Sequence, residues 1–526
     1  MEKKIITLYD TTLRDGAQTA GISFSLEDKL RIARALDRMM IDYVEGGWPG
    51  SNPKDDLFFK TLKDSPLAHA KTAAFGSTKR SNVSFEDDIF LQALAASGAD
   101  VITIVAKSWD FQVTTALNIS LDENIGLIYD TTAYLKDKGY SVFLDAEHYF
   151  DGYKSNPDYS LRIIDAAVRA GADMFVLCDT NGGSLPHEVE KIVKDSVSAS
   201  SMPVGVHFHN DAGMAEANSQ YSVLAGAVSV QGTINGLGER CGNCDLTTVI
   251  PNLALKMGYS CAASERIGYL TELSRFVSET ANLAHNDRLP YVGDNAFAHK
   301  GGIHVSAIQK DTRTYEHIDP SAVGNRRKVF ISELSGKSNI EFKARELNID
   351  LPESGSVQKE VLSKIKSLED KGFQFEAAEG SFELLIRKAS GEYRPFFTLK
   401  GFRVITEMNA ENSLDCEATI RVEVNGITEH TASNGHGPVE ALDRALRKAL
   451  MKFYPEIGSI HLSDYKVRVL NEKDGTGSSV RVLIDQTDGK THWGTVGVSP
   501  NIIEASWQAL VDGIEFHLYK IESGRQ

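Results

Sequence analysis

The sequence predicts an α/β protein: a (β/α)8 TIM barrel, then helical linker subdomains, then a C-terminal α+β domain made of two βββα units. Three observations carry that expectation. Residues 5–232 alternate short β-rich runs with helix-length amphipathic stretches, eight times over. The first run leads into YDTTLRDG and not into GxGxxG, which sets aside the open dinucleotide-binding sheet. Near the C-terminus two helices share the pattern Glu-Ala-x-x-x-Ala-Leu, at Glu440–Leu446 and Glu504–Leu510, each behind three strand-like runs.

In order, the predicted barrel strands are Ile5–Tyr9, Ile41–Glu45, His69–Phe75, Val101–Ala106, Ser141–Glu147, Met174–Cys178, Val204–His209 and Val228–Gln231. The first helix, Leu26–Met39, repeats Leu26, Leu30, Ala33 and Leu36 on one face, and Ser25 with Asp28 forms a capping box at its start. Residues 284–340 read as an ordered but irregular appendage with short helices. Val357–Lys371 and Glu376–Lys388 follow as helices split by Gly372. The first C-terminal unit is Arg403–Met408, Cys416–Val424, Ile427–Ala432 and a helix Pro438–Phe453. The second is Tyr465–Leu470, Ser479–Asp485, Thr491–Val498 and a helix Pro500–Tyr519. Each helix begins with Pro, which suits a first turn where no N–H is needed. The expected divisions are 1–275, 276–398 and 399–526.

Composition narrows the function classes. The 526 residues carry 56 Lys plus Arg against 72 Asp plus Glu, a formal net charge of −16. A broad nucleic-acid footprint or a polybasic membrane surface needs the opposite sign. An anionic small molecule is not excluded, because one or two local arginines outweigh a distant field. Five cysteines are too few for a disulfide scaffold, and Cys241–Cys244 is a CxxC without thioredoxin-like context or further zinc ligands. MEKKIITLYD lacks the apolar stretch of a secretory leader, and no apolar run reaches the ~18 residues of a membrane span. A cytoplasmic, multidomain protein is expected.

In such a barrel the chemistry sits at the C-terminal ends of the strands. Polar groups recur there: Asp10 to Asp15, Glu45, Lys107, Glu147 with His148, Asp179 to Asn181, His207 to Asp211, and Asn235 to Asn243. His207 and His209, two apart on one strand, point to the same side and suit a divalent metal; a hydrogen-bonded core pair is the plainer alternative. Amidohydrolase-type enzymes also use HxH, but on the first strand, whereas here it lies on the seventh. Asp10, Asp15, Asp179, Asp211 and Asn243 are unranked candidates for the oxygen ligands. Arg14-Asp15 fits either a shared grip on a metal and an anionic oxygen or a simple salt bridge. HKGGIH, His299 to His304, fits either a lid or a polar turn.

Four motifs in order carry a resemblance: LYDTTLRDGAQ (8–18), LCDTNG (177–182), HFHND (207–211) and GLGERCGN (236–243). They resemble the acyl-CoA-condensing aldolase-like barrels, the group of 2-isopropylmalate, homocitrate and citramalate synthases. Hydroxymethylglutaryl-CoA lyase and carboxyltransferase domains are its wider relatives. The likeness spans essentially the whole chain, since these synthases carry linker subdomains and a doubled βββα effector domain. VEGGWPGSNPKD (44–55) is most similar to the citramalate synthases within the group.

The resemblance implies a condensation of acetyl-CoA with a 2-keto acid at a divalent metal, Mg2+, Mn2+ or Zn2+. In the citramalate synthases the keto acid is pyruvate and the product feeds isoleucine biosynthesis. Carried over, Asp15, His207, His209 and Asn243 become metal ligands. Arg14 binds the keto acid and stabilises oxygen charge, Thr180 holds the carboxylate, and Gln18 and Glu45 line the substrate pocket. Glu147 with His304, helped by Tyr315, handles proton transfer at the acetyl methyl. The family often has an acidic residue two places after the His304 position, where this chain has Ser306. The doubled domain implies end-product control by isoleucine or leucine and a homodimer, with no nucleic-acid or membrane partner. Within the group the alternatives are a 2-isopropylmalate synthase acting on 2-ketoisovalerate and a homocitrate synthase; outside it stand a hydroxyacyl-CoA lyase on the same barrel, an inactive scaffold, and a nucleic-acid module resting on Arg326–Lys328. That patch reads more simply as a CoA-phosphate contact or a solvated loop.

Overall fold

A computed structural model describes residues 4–347, 349, 351, 355–408, 414–470 and 477–524; the first three residues of the N-terminal segment judged for a leader lie outside it. Eight parallel strands close on themselves: β1 (Thr7–Asp10), β2 (Tyr43–Gly47), β3 (Lys71–Ser77), β4 (Val101–Lys107), β5 (Ser141–Glu147), β6 (Met174–Asp179), β7 (Val204–Phe208) and β8 (Ser229–Gly232), with β8 pairing back to β1. The barrel is filled by side chains, among them Tyr9, Ala73, Val101, Phe143, Met174, Val176 and Cys178.

Several strands lie one or two residues further along the chain than the apolar runs suggest. Ile6 and Ile41 are buried just before the paired stretch, and Ile5 bridges Ser260 instead of joining the barrel. β7 stops at Phe208, so His209 lies just past the strand and forms an isolated antiparallel bridge with Asn243. The helix Leu26–Arg38 begins as read: Ser25 Oγ accepts from the Asp28 N–H at 3.1 Å, and Asp28 Oδ2 accepts from the Ser25 N–H at 2.9 Å.

The chain divides into two compact units, Met1–Phe297 with Asp319–Arg326, and Ala298–Ile318 with Arg327–Gln526. In the second unit a short parallel pair, β9 (Ala298–His299) and β10 (Lys328–Val329), precedes helices Lys337–Glu346, Ser356–Asp370 and Glu379–Ser390. Two antiparallel sheets follow. One is β11 (Thr398–Met408), β12 (Leu414–Val424) and β13 (Ile427–Gly435) with helix Pro438–Leu450. The other is β14 (His461–Val469), β15 (Val480–Thr487) and β16 (His492–Ser499) with helix Ile502–Glu522.

The repeat extends to single hydrogen bonds. Thr431 donates its hydroxyl to the Ala445 carbonyl at 2.8 Å, and Thr495 donates to Ala509 at the same distance. Both acceptors are the second Ala of the shared helix pattern. A glycine in each sheet lets the helix backbone approach at the first Ala: a Cβ on Gly435 would lie 2.5 Å from Ala441 N, and one on Gly497 would lie 1.9 Å from Ala505 O. One expectation is corrected. Pro438 does occupy a first turn, but the second helix starts at Ile502 behind an Asn501 cap, leaving Pro500 outside. The Asn501 side chain accepts from the Ile503 N–H at 2.9 Å, satisfying a donor that proline merely lacks.

Candidate active site

The turn after β1 is held by its own polar groups. Asp10 accepts from the backbone and hydroxyl of Thr12, each at 2.9 Å, and Thr12 Oγ1 accepts from Ile234 N–H at 2.9 Å, tying the turn to the end of β8. Burial pushes the Asp10 carboxyl up to about 7. That turn projects Arg14 and Asp15. Arg14 Nε donates to Glu45 Oε2 at 2.5 Å, its guanidinium stands 3.4 Å from Asp15 Oδ1, and it lies 3.9 Å over the Phe75 ring. The other Glu45 oxygen accepts from the Tyr9 hydroxyl at 2.8 Å.

Asp15 meets the two histidines. Its Oδ2 is 3.2 Å from His207 Nε2, which is 3.3 Å from His209 Nε2. One ligand atom from each residue falls within 4.8 Å of the others, and the three are 2%, 4% and 7% exposed. Burial opposes ionisation of Asp15, but the adjacent Arg14 guanidinium overcomes it and holds the carboxyl far below its ordinary range. Burial, then the neighbouring His207, drives His209 down to about 3, so it stays neutral, the form that ligates metals.

Polar groups left without partners point the same way. Asp15 Oδ2, His209 Nδ1 and both amide atoms of Asn243 are buried and make no hydrogen bond. Orphaned groups of this kind are costly unless a ligand takes them. One carboxylate, two imidazoles and a buried amide beside them suit a divalent cation. The glycine-rich turn brings Asn243 in. Gly242 has φ +86°, and a Cβ there would lie 1.9 Å from Gly236 O. The Asn243 N–H donates to that carbonyl at 3.1 Å. Of the other candidate oxygen donors, Asp211 pairs with Arg240 at 2.8 Å, and Asp179 accepts from Ser184 N–H at 3.0 Å through Oδ2; its Oδ1 is also buried without a partner, but Asp179 lies outside the group that Asp15, His207 and His209 form.

A cavity of about 600 Å³ opens over this cluster, and Arg14, Asp15, Gln18, Glu147, Thr180, His207 and His209 line it. Glu45 does not line it, lying fully buried beneath Arg14. Thr180 Oγ1 accepts from His148 N–H at 2.9 Å, which leaves its own proton free to donate into the cavity. Glu147 forms an ion pair with Lys107, also a wall residue. Sequence reasoning passed over Asp145, Gln231, Lys79 and Arg80. Asp145 was within reach, since it stands two residues before Glu147 on β5 and so faces the same side.

In the second unit, His304 stacks on Tyr315 with ring centroids 4.1 Å apart. Beside them His299 Nε2 is 3.3 Å from Glu316 Oε1, and Arg327 grips both Glu316 oxygens at 2.5 Å. Arg327 is therefore committed to an internal pair, which removes one cation from the patch at 326–328.

Residues 5–277 match the HMGL-like family, residues 291–373 the homocitrate synthase post-HMGL domain-like family, and residues 376–518 the LeuA allosteric (dimerisation) domain. Over 98% of both chains, the sequence is 54% identical to (R)-citramalate synthase of Geobacter sulfurreducens and 52% identical to that of Aquifex aeolicus. It is 32% identical, over 97% of both chains, to a probable 2-isopropylmalate synthase of Methanopyrus kandleri. The chain belongs to the citramalate synthase/2-isopropylmalate synthase family. Its chemistry is the Claisen-type condensation of a 2-keto acid with acetyl-CoA in amino-acid biosynthesis. The buried Asp15/His207/His209 cluster, capable of holding a divalent metal, accords with that chemistry. The LeuA dimerisation match supports a homodimer that takes a regulatory ligand. Among the described residues no helix is long and apolar enough to cross a membrane.

Proposed function

We propose that this enzyme condenses acetyl-CoA with pyruvate and hydrolyses the thioester to give (R)-citramalate and CoA, feeding isoleucine biosynthesis. The observation that carries the choice of keto acid is the identity of 54% to a named (R)-citramalate synthase against 32% to a named probable 2-isopropylmalate synthase, both over nearly the whole chain. Asp15, His207, His209 and Asn243 would hold the metal. When bound, a divalent ion there supplies Lewis-acid polarisation of the keto group.

The chain's own residues do the rest. Arg14, fixed by Glu45 and Asp15, offers positive charge where alkoxide charge develops. Thr180 donates its free hydroxyl proton to the substrate carboxylate, and Gln18 borders the same space. Glu45 serves the pocket through Arg14, since its oxygens are spent on Arg14 and Tyr9. Glu147, with its charge balanced by Lys107, and His304 with its stacked Tyr315 handle the proton of the acetyl methyl. Carbon–carbon bond formation joins that methyl to the keto carbon. Attack of water on the thioester then breaks the C–S bond and releases CoA as its thiol.

The proposed divisions are a barrel at 1–275, linkers at 276–398 and a regulatory part at 399–526; the family matches at 5–277 and 291–373 support the first two, while the LeuA match begins earlier than the third, at 376. The effector is isoleucine or leucine, and the enzyme is cytoplasmic. A free-thiol release assay tests the reading, with acetyl-CoA and pyruvate, 2-ketobutyrate, 2-ketoisovalerate, glyoxylate or 2-ketoglutarate, with and without chelator, then with isoleucine or leucine added. Pyruvate should give the highest kcat/KM, abolished by chelator. A preference for 2-ketoisovalerate would move the enzyme to the 2-isopropylmalate synthases.

A further inference from the structure

His207 has a second nitrogen, and what it meets is built from two residues so far without a role. His207 on β7 and Gln231 on β8 are register partners. His207 Nδ1 lies 2.9 Å from Gln231 Oε1, and Gln231 Nε2 donates to Asp145 Oδ1 on β5 at 3.1 Å. Gln231 is 1% exposed and Asp145 3%, so neither contact is shared with bulk water.

The direction of this chain follows from which atoms can donate. When ionised, Asp145 only accepts, so the Gln231 amide then turns its NH2 to it. Its carbonyl oxygen then faces His207 and can only accept. His207 must therefore carry a proton on Nδ1, so in the neutral ring that ligates a metal the Nε2 lone pair is directed at Asp15 Oδ2 and His209 Nε2. A flipped amide would force the proton onto Nε2, where it would block coordination. Neutral Gln231 does this without adding charge beside the ligands, and the anion stays one residue away.

We propose that Gln231 and Asp145 are positioning residues: they fix the Nδ1–H tautomer and the ring orientation of His207, and so set the enzyme's affinity for its divalent metal. The inference rests on the assignment of His207 and His209 as ligands and deepens it. Partners of this kind typically change metal affinity by about 10- to 100-fold when removed.

The experiment uses full-length, metal-stripped protein and reads Zn2+ and Mn2+ affinity by competition with a chromogenic chelator, alongside the melting temperature without metal. Q231M should bind about 10- to 100-fold more weakly while the metal-free melting temperature moves only a few degrees. Q231E should also weaken binding, because it sets a second carboxylate against Asp145. The double variant D145N/Q231E should return to within a few-fold of wild type. In it the amide and the carboxylate exchange ends, the carboxylate accepts from His207, and every donor keeps an acceptor.

Wild-type affinity in Q231M overturns the proposal, as does a double variant no better than Q231E. Should Q231M not fold, the isosteric set of D145N, Q231E and their double decides alone. H209A is the control for the ligand assignment. If it binds metal as wild type does, that assignment fails. If it loses metal while Q231M does not, only the positioning role fails.

Discussion

The barrel and the C-terminal repeat solve opposite burial problems. The barrel turns polar groups inward at one end: Asp10, Asp15, Glu45, Asp145, His207, His209 and Asn243 are all buried. In the first C-terminal sheet, β12 instead buries Cys416, Ala418, Ile420, Val422 and Val424 on alternate positions, and Ala441, Leu442, Ala445, Leu446, Ala449 and Leu450 of one helix cover them. Burying unpaired polar groups costs about 1–3 kcal/mol each, so a fold selected for stability alone would avoid the first arrangement. The difference separates residues that serve a reaction from residues that serve packing.

That separation can be broken by substitution, and the largest effect belongs to the barrel. H209A should lower metal-dependent thiol release by roughly 10^3-fold or more, with the far-ultraviolet circular dichroism unchanged. Turnover at the wild-type rate in that variant would sink the metal assignment. R14K keeps a charge but loses the planar fork that meets Glu45 and Asp15 together, so kcat should fall roughly 10^2-fold. A change confined to KM would assign Arg14 to binding alone.

The second unit offers a contrast in stability. Burial pushes the Glu515 carboxyl up to about 7, from an ordinary value of 4.5. Below pH 4.5 the folded and unfolded chains both hold the proton. Between 4.5 and 7 only the folded chain keeps it, so stability falls as pH rises through that window and levels off above it. E515Q should match wild type near pH 4.5 and gain up to about 3 kcal/mol by pH 8, measured by thermal melting across the range. A gain independent of pH would assign the effect to packing. The smallest effect tests the repeat: T431V and T495V should each cost about 0.5–1.5 kcal/mol, and nearly the same amount, because they remove equivalent hydrogen bonds. Strongly unequal losses would mean that the two copies carry different loads.

Much of this was legible in the sequence because it is periodic or local. The eight strand–helix alternations, the Ser25–Asp28 box and the paired Glu-Ala-x-x-x-Ala-Leu segments each depend on spacing along the chain, and the fold realises all three. The nearness of His207 to His209 also follows from spacing, although His209 lies just past the strand and is held by its bridge to Asn243. Pro500 misled because proline marks a helix start only roughly, whereas the Asn501 side chain sets the first turn.

By itself, then, the sequence determined the barrel, the doubled C-terminal pattern and the family motifs, since these are properties of order and period. Only the tertiary structure decided that Glu45 braces Arg14 from beneath, that Arg327 is spent on Glu316, and that Gln231 carries Asp145 to the back of His207. Those pairings join residues from separate strands or loops, and some cross the barrel from one strand to another. Their partners are set by the closure and stagger of the fold, which no spacing along the chain encodes.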